Sequence, residues 1–417
     1  MAEALPARIR TLDLIRGIAV LGILTVNIAG FAGTTASTLT PHLPHAGSWA
    51  DAFTFAAIFV VFEGKMRLLF TLLFGASMLL FIERADAQGR DGAALQLRRL
   101  GLLAVFGYLH YALLWWGDIL LIYAVLGLVA LAFREMEIKR LVIAALAFYL
   151  VWHLIGMAST WSDLVHDVAV QNGSASAKQL AAHNQNLGAL ADQATRELAT
   201  YQLGWLGQIR AKLFDGTFAP FQIALSSIGE TVPTMLLGMA LYRSGFFAGA
   251  WPDRYLRLIA FWGLLLGAAL SAGLIAHAWQ IGFAVPTMFA YILYWGAVPH
   301  LLMVLGYAAL LIRIAPRLIG TLLGRRLEAA GRMAFSNYIG TSVLMCAIFY
   351  GWGLGLVGQI GHAGQILLVL LGWVVMLGWS TPWLARFHQG PLEWIWRSLT
   401  EWQVQPFVRR WTSAVHM

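Results

Sequence analysis

Apolar runs long enough to cross a bilayer recur from one end of this chain to the other. At about 20 residues per crossing, they fall near residues 12–31, 52–82, 98–116, 119–133, 140–160, 220–242, 257–278, 284–312, 333–353 and 364–385. Composition points the same way, with 59% hydrophobic and only 12% charged residues against about 25% charged in soluble domains. The expected fold class is therefore an all-α polytopic membrane protein, a bundle of about ten transmembrane helices. The second and eighth runs are overlong. Glu63-Gly64-Lys65 in one, and Pro286 with Pro299 in the other, mark them as broken or re-entrant.

Loop charges orient the bundle. With both termini cytoplasmic, 21 of the 28 Lys and Arg residues fall in connections on the inner side, as the positive-inside rule requires. Arg16, Lys65 and Arg67 lie within spans, and the remaining four belong to one long outer loop, where the rule is weak. That loop, residues 161–219, is polar and reads as an external helical cap, with Ser174 and Ser176 as N-cap candidates for a helix over Ala177–Thr200. A second, interfacial helix over Tyr201–Phe214 would carry Trp205, Ile209 and Leu213 on one face. The chain divides into 1–160, 161–219 and 220–417, with the two outer parts forming one integrated membrane domain. A signal sequence at the N-terminus is disfavoured by Asp13, Arg16 and Asn27, which interrupt the apolar core. A single cysteine, Cys346, excludes an intrachain disulfide.

Function is sought at the charges that lipid does not tolerate, since each costs a few kcal/mol at the bilayer centre and so faces a cavity or a partner. Asp13 and Arg16, three apart, share a helix face; they form an internal pair, or Arg16 meets a phosphate-bearing ligand. Glu63 and Arg67, four apart, suit a structural pair, which leaves Lys65 as the better ligand candidate. Glu230 has no local partner and is expected to meet a basic residue of another helix. Asp118 follows Gly117 at a span boundary, where it caps a helix or orients His110. Arg325, Arg326 and Arg332 are topology determinants or hold phosphates at the inner mouth. Histidines 42, 45, 110, 153, 277 and 362 gather toward the outer side, and such a residue is a natural general base at neutral pH, though more often structural. No pair among them has zinc-motif spacing, so no metal is assigned.

Five motifs in order carry a resemblance. They are Arg10-Thr-Leu-Asp13-Leu-Ile-Arg16-Gly17; Glu63-Gly64-Lys65-Met66-Arg67-Leu-Leu-Phe70; His110 to Tyr123 with Gly117-Asp118-Ile119-Leu120; Gly331-Arg332-Met-Ala-Phe-Ser336-Asn337-Tyr338; and Gly390-Pro391-Leu392-Glu393-Trp394-Ile395-Trp396-Arg397. Together the chain resembles the YeiB-like family of bacterial inner-membrane proteins, which implies a multi-pass inner (plasma) membrane location. More distantly it is similar to transmembrane acyltransferases that include heparan-alpha-glucosaminide N-acetyltransferase, through the Leu-Asp-x-x-Arg-Gly start and Asn27. That similarity implies acyl transfer from cytosolic acyl-CoA to an acceptor on the far side, with a histidine of the first outer loop involved. Here it would be His45, in His45-Ala46-Gly47-Ser48-Trp49, where Gly47 is an insertion relative to the family pattern.

Combined, these readings give a definite expectation. Arg16, Lys65, Arg67, Arg325 and Arg332 would hold the phosphates or pantetheine arm of acyl-CoA, acetyl-CoA in the simplest case. His45 or His110, with Asp118, would deprotonate the acceptor, and Asn27 would bind the thioester oxyanion. Asp13, Glu63, Glu230, Asn337, Tyr338, Glu393 and Arg397 would support them. Expected partners are membrane lipids and a small-molecule, glycan or lipid acceptor, with no nucleic acid, and a homodimer is open to it. The competing class is a transporter of an anionic small molecule or lipid, since broken helices with mid-membrane charges also build transport sites.

Overall fold

The computed structural model describes residues 10–44 and 46–409. Among them the chain is helical throughout apart from turns and an isolated bridge between Phe387 and Val408. The first half comprises α1 (Arg10–Ala32), α2 (Trp49–Val61), α3 (Lys65–Asp86), α4 (Gly92–Leu113), α5 (Leu120–Leu131) and α6 (Ile138–Ser159). The cap is α7 (Trp161–Gln171), α8 (Ala177–Tyr201) and α9 (Trp205–Asp215). The rest is α10 (Ala219–Ser226), α11 (Ile228–Arg243), α12 (Asp253–Gln280), α13 (Val285–Ala290), α14 (Ala297–Leu318), α15 (Leu322–Arg332), α16 (Ala334–Phe349), α17 (His362–Arg386) and α18 (Pro391–Glu401).

Every expected apolar run is helical, and helix length and composition by themselves identify fewer than ten full-length spans. Six described helical segments are long and apolar enough to cross a membrane, with α2 and α3 counted together as Trp49–Asp86, or seven if α10 and α11, bent by 63° at Ser227, count as one. The 12-residue α5 spans only about 18 Å, little more than half of the roughly 30 Å hydrocarbon layer. The turn between α4 and α5 accordingly sits inside the protein, with Trp115 and Asp118 both buried. Both overlong runs are interrupted. Gly64, at φ +71, separates α2 from α3 in a left-handed conformation that a side chain would strain. A π-turn at Tyr291–Trp295 separates α13 from α14, so that break falls before Gly296 rather than at either proline.

Helix α1 is the central rod, buried along most of its length and packed against α3, α15, α16 and α17. Its crossing with α15 is the tightest feature of the basic end. A Cβ on Gly17 would lie 2.0 Å from the Leu327 carbonyl oxygen, and one on Gly331 would lie 1.8 Å from that of Asp13. Glycines that face each other let two backbones touch, the device by which membrane helices gain van der Waals contact where no hydrophobic force drives them together. Peripheral helices behave oppositely: α12 and α17 expose Leu265, Leu266, Leu270, Leu367 and Val374, as suits faces turned to lipid.

Helix α8 starts where the capping pattern places it, with Ser176 Oγ accepting from Gln179 N. Ser48 likewise starts α2 in a reciprocal box with Asp51. Helix α9 docks inward: Trp205 Nε1 donates to Leu113 O at 2.7 Å and Lys212 Nζ to Leu114 O at 2.9 Å.

Candidate functional site

A cavity of about 420 Å³ opens at the end of the bundle where the arginines gather, within the size range of small-molecule sites. Its wall is built from α1, α3, α4, α5, α15, α16 and α18, and six arginines line it against two glutamates: Arg16, Arg84, Arg90, Arg99, Arg332 and Arg397 facing Glu393 and Glu401. Deeper in, the wall turns apolar and aromatic, with Ile23, Phe70, Phe74, Leu103, Tyr123 and Tyr338. The shape suits an amphipathic anion, charged at the mouth and apolar at depth.

The charged groups at the mouth are held by specific partners. Arg16 donates to Asp13 at 3.0 Å and to Ser77 Oγ at 2.8 Å. Arg332 donates to His388 O at 3.1 Å. Glu401 receives Arg90 at 3.2 Å and Arg397 at 3.0 Å. Arg99 is different: its guanidinium carbon lies 4.0 Å from the Phe81 ring centroid and 4.4 Å from that of Trp396. Two π faces hold that cation in place and leave its planar fork available for an oxyanion. Arg90 Nε and Gln96 Oε1, on the same wall, are buried with no hydrogen-bond partner among the described residues. Unpaired buried polar atoms cost about 1–3 kcal/mol each, which a ligand would recover.

At the far end of the cavity, Tyr338 donates to Gly117 O at 3.2 Å and accepts from Ile119 N at 3.3 Å, fixing the turn between α4 and α5. Its ring lies against that of His110, with centroids 5.1 Å apart. His110 Nδ1 meets Asp118 Oδ1 at 2.8 Å, and both side chains are almost fully buried. Asp118 Oδ2 accepts from Leu121 N at 2.7 Å, so the same carboxylate caps α5 and orients the imidazole. With Nδ1–H donating to the carboxylate, Nε2 carries the lone pair, and this atom has no partner among the described residues.

The mid-membrane charges are placed elsewhere. Arg67 bonds Glu230 of α11 through both oxygens, at 3.0 Å, rather than Glu63. The break at Gly64 leaves Glu63 in the turn before α3 and Arg67 in its first turn, so their four-residue spacing does not place them on one helix face. Glu63 instead accepts from Gly64 N at 3.1 Å. Lys65 is wholly buried and donates to Phe59 O at 2.6 Å. It thereby satisfies a terminal carbonyl of α2 and does not reach the cavity.

Two further candidates also stay outside the cavity wall: Arg325 is exposed and bonds Gly320 O, and Asn27 is half-buried on α1. His45 lies outside the described residues. Asn337 ties α15, α16 and α17 together, donating to Ala330 O and Ser380 and accepting from Trp379 Nε1. Glu393 closes α18 onto α16 by accepting from Phe335 N, Ser336 N and Ser336 Oγ. Burial raises the carboxyl pKa of Glu393, opposed by these hydrogen bonds. Arg84, Arg90, Arg99, Gln96 and Glu401 were not singled out by the sequence, where the arginines read as loop charges. The signal was Arg99's position two turns inside α4, which begins at Gly92.

These features define a multi-pass helical membrane protein with a cation-lined, amphipathic internal site. The family model described as "Protein of unknown function (DUF418)" matches residues 241–403. The chain is 32% identical to the uncharacterized protein YxaH of Bacillus subtilis over 97% of its own length and 96% of that protein. To the uncharacterized protein YeiB of Escherichia coli it is 30% identical over 94% of its length and 95% of the relative. It belongs to this YeiB and YxaH family. No solved structure matches.

Proposed function

We propose that this protein is a transmembrane acyltransferase of the bacterial inner membrane. It takes an acyl group from cytosolic acyl-CoA, acetyl-CoA in the simplest case, and passes it to a hydroxyl or amine of a glycan or lipid-linked acceptor on the outer side. One observation carries the reading: a single cavity has an arginine-lined mouth and ends at Tyr338, whose other side packs on an Asp118–His110 dyad with an unpartnered Nε2. Arg16, Arg99 and Arg332 receive phosphate oxygens at the mouth, and the aromatic depth takes the pantetheine arm. The acceptor enters beneath α9. His110 Nε2 removes the acceptor's proton as its oxygen or nitrogen attacks the thioester carbonyl. The carbon–sulfur bond breaks, the thiolate leaves and takes that proton from the imidazolium, and Asp118 stabilises the transient charge. Atoms and charge balance as acyl-CoA plus acceptor giving CoA thiol plus acylated acceptor.

Calorimetric titration of coenzyme A and acetyl-CoA into protein in lipid nanodiscs tests the reading. Saturable binding is expected. Losing a charge-assisted hydrogen bond, about 1.5–3 kcal/mol, should weaken it roughly 10- to 100-fold in Arg99→Ala, while Lys65→Met retains it. His110→Ala should bind normally and transfer no label. Absence of binding, or unchanged affinity in Arg99→Ala, would overturn the proposal. Flux of an unchanged anion across vesicles would instead support the transporter reading. That alternative is disfavoured because Lys65, Arg67, Glu63 and Glu230, the charges nearest the broken helix, are engaged with backbone or with each other.

A further inference from the structure

The cap contains a cluster that the acyl-transfer reading does not use. His166 and Asp167 on α7 and His183 on α8 offer one ligand atom each, and the three atoms all lie within 4.8 Å of one another. The two imidazoles are half-buried, with centroids 6.0 Å apart and planes inclined at 45°, so they do not stack. Asp167 is 3% exposed. Its Oδ2 accepts from Thr287 N at 3.2 Å and Thr287 Oγ1 at 2.7 Å, at the start of α13. Its Oδ1 is buried without any partner among the described residues.

From this arrangement we infer that His166, Asp167 and His183 bind a divalent transition-metal ion, with zinc the best match. Two imidazole nitrogens and a carboxylate oxygen form a recurrent zinc donor set, and three protein ligands leave a fourth position for water. Tetrahedral ligation at about 2.0–2.1 Å puts ligand atoms roughly 3.3 Å apart. Separations of at most 4.8 Å need a contraction of no more than about 1.5 Å to reach that geometry, within reach of rotation of two half-buried rings. The carboxylate is already oriented: Thr287 holds one oxygen from outside the ligand set, as outer hydrogen bonds do in metal sites. A buried carboxylate oxygen with no donor is costly, and a cation would satisfy it. An ordinary aspartate–histidine pair does not account for the cluster, because neither imidazole is hydrogen-bonded to Asp167.

The ion would do a specific mechanical task. It would staple α7 to α8 across the turn at residues 172–176, and through Thr287 it would tie that hairpin to the broken segment of the membrane domain. Metal binding would thereby set how firmly the cap is held over the bundle.

The test is metal uptake by protein purified without a histidine tag, stripped with chelator and held in nanodiscs. Zinc content is read by mass spectrometry and cobalt(II) by its ligand-field absorption, neither of which depends on acyl transfer. One saturable equivalent is expected, with affinity at least 100-fold weaker in His183→Ala. In Thr287→Val it should fall 10- to 100-fold, the usual effect of removing an outer partner. His183 is half-buried on a cap helix, so its replacement leaves the fold intact, and Asp167→Asn provides a shape-preserving second variant with the same expected loss. Uptake well below one equivalent, or wild-type affinity in both His183→Ala and Asp167→Asn, would refute the site.

Discussion

Replacing Gly331 with alanine should damage the protein more than any other single methyl at the basic end. The new Cβ would stand 1.8 Å from the Asp13 carbonyl oxygen and 2.7 Å from Gly17 N, whereas ordinary contact begins at 3.4 Å. The obstacle is backbone, which no rotamer change relieves, so α15 must move off α1 by about 1.6 Å or tilt. Overpacking of this kind costs about 1–3 kcal/mol, and a backbone-to-backbone clash belongs at the upper end. A destabilisation of about 3 kcal/mol raises the equilibrium for global opening roughly a hundredfold. Cys346 makes this measurable, being the one cysteine of the sequence and fully buried. Its labelling by a thiol-reactive dye under native conditions should accelerate about a hundredfold in Gly331→Ala if the thiol reacts through global opening. Gly378→Ala, also within a helix but with open space around the new methyl, should label no faster than wild type. Labelling of Gly331→Ala within twofold of wild type would refute the packing argument.

Two other expectations concern charge. Arg67→Met should cost about 3 kcal/mol, the low end for breaking a buried pair, since the Arg67 side chain is 37% exposed; adding Glu230→Gln should restore part of the loss in thermal unfolding, and simple additivity would count against the pairing. In the cap, desolvation pushes the Lys212 ammonium down to about 8 from 10.5, so opening of α9 takes up a proton between those values. Docking of α9 is then strongest above pH 10.5 and weakens as pH falls through 8. Hydrogen exchange over residues 205–215, corrected for its intrinsic pH dependence, should show less frequent opening at pH 9.5 than at 7.5, and Lys212→Met should abolish that difference.

Much of the architecture was legible because bilayer-length apolar runs leave the backbone little choice but helix. Every expected run became one, and Ser176 began its helix where the capping pattern placed it. What failed was arithmetic across a break. Glu63 and Arg67 are neighbours only if the helix continues, and Gly64 with its positive φ stops it. Asp118 had two competing readings, cap and histidine partner, and its two oxygens serve one each. The arginine mouth stayed hidden because loop basicity has a sufficient explanation in topology. Only the fold shows that Arg84, Arg90 and Arg99 converge with Arg397 from near the other end of the chain.

That convergence has a consequence for biosynthesis. Five residues of the cavity wall, Glu393, Trp396, Arg397, Thr400 and Glu401, belong to α18, which follows the last membrane-spanning helix. As the ribosome releases the chain, every membrane helix is made before the mouth of the cavity exists. During that interval Arg99 lacks one of its two flanking rings and Arg90 lacks its carboxylate. The binding site is thus assembled last, and a chain truncated after α17 would insert with all its spans yet lack a finished mouth.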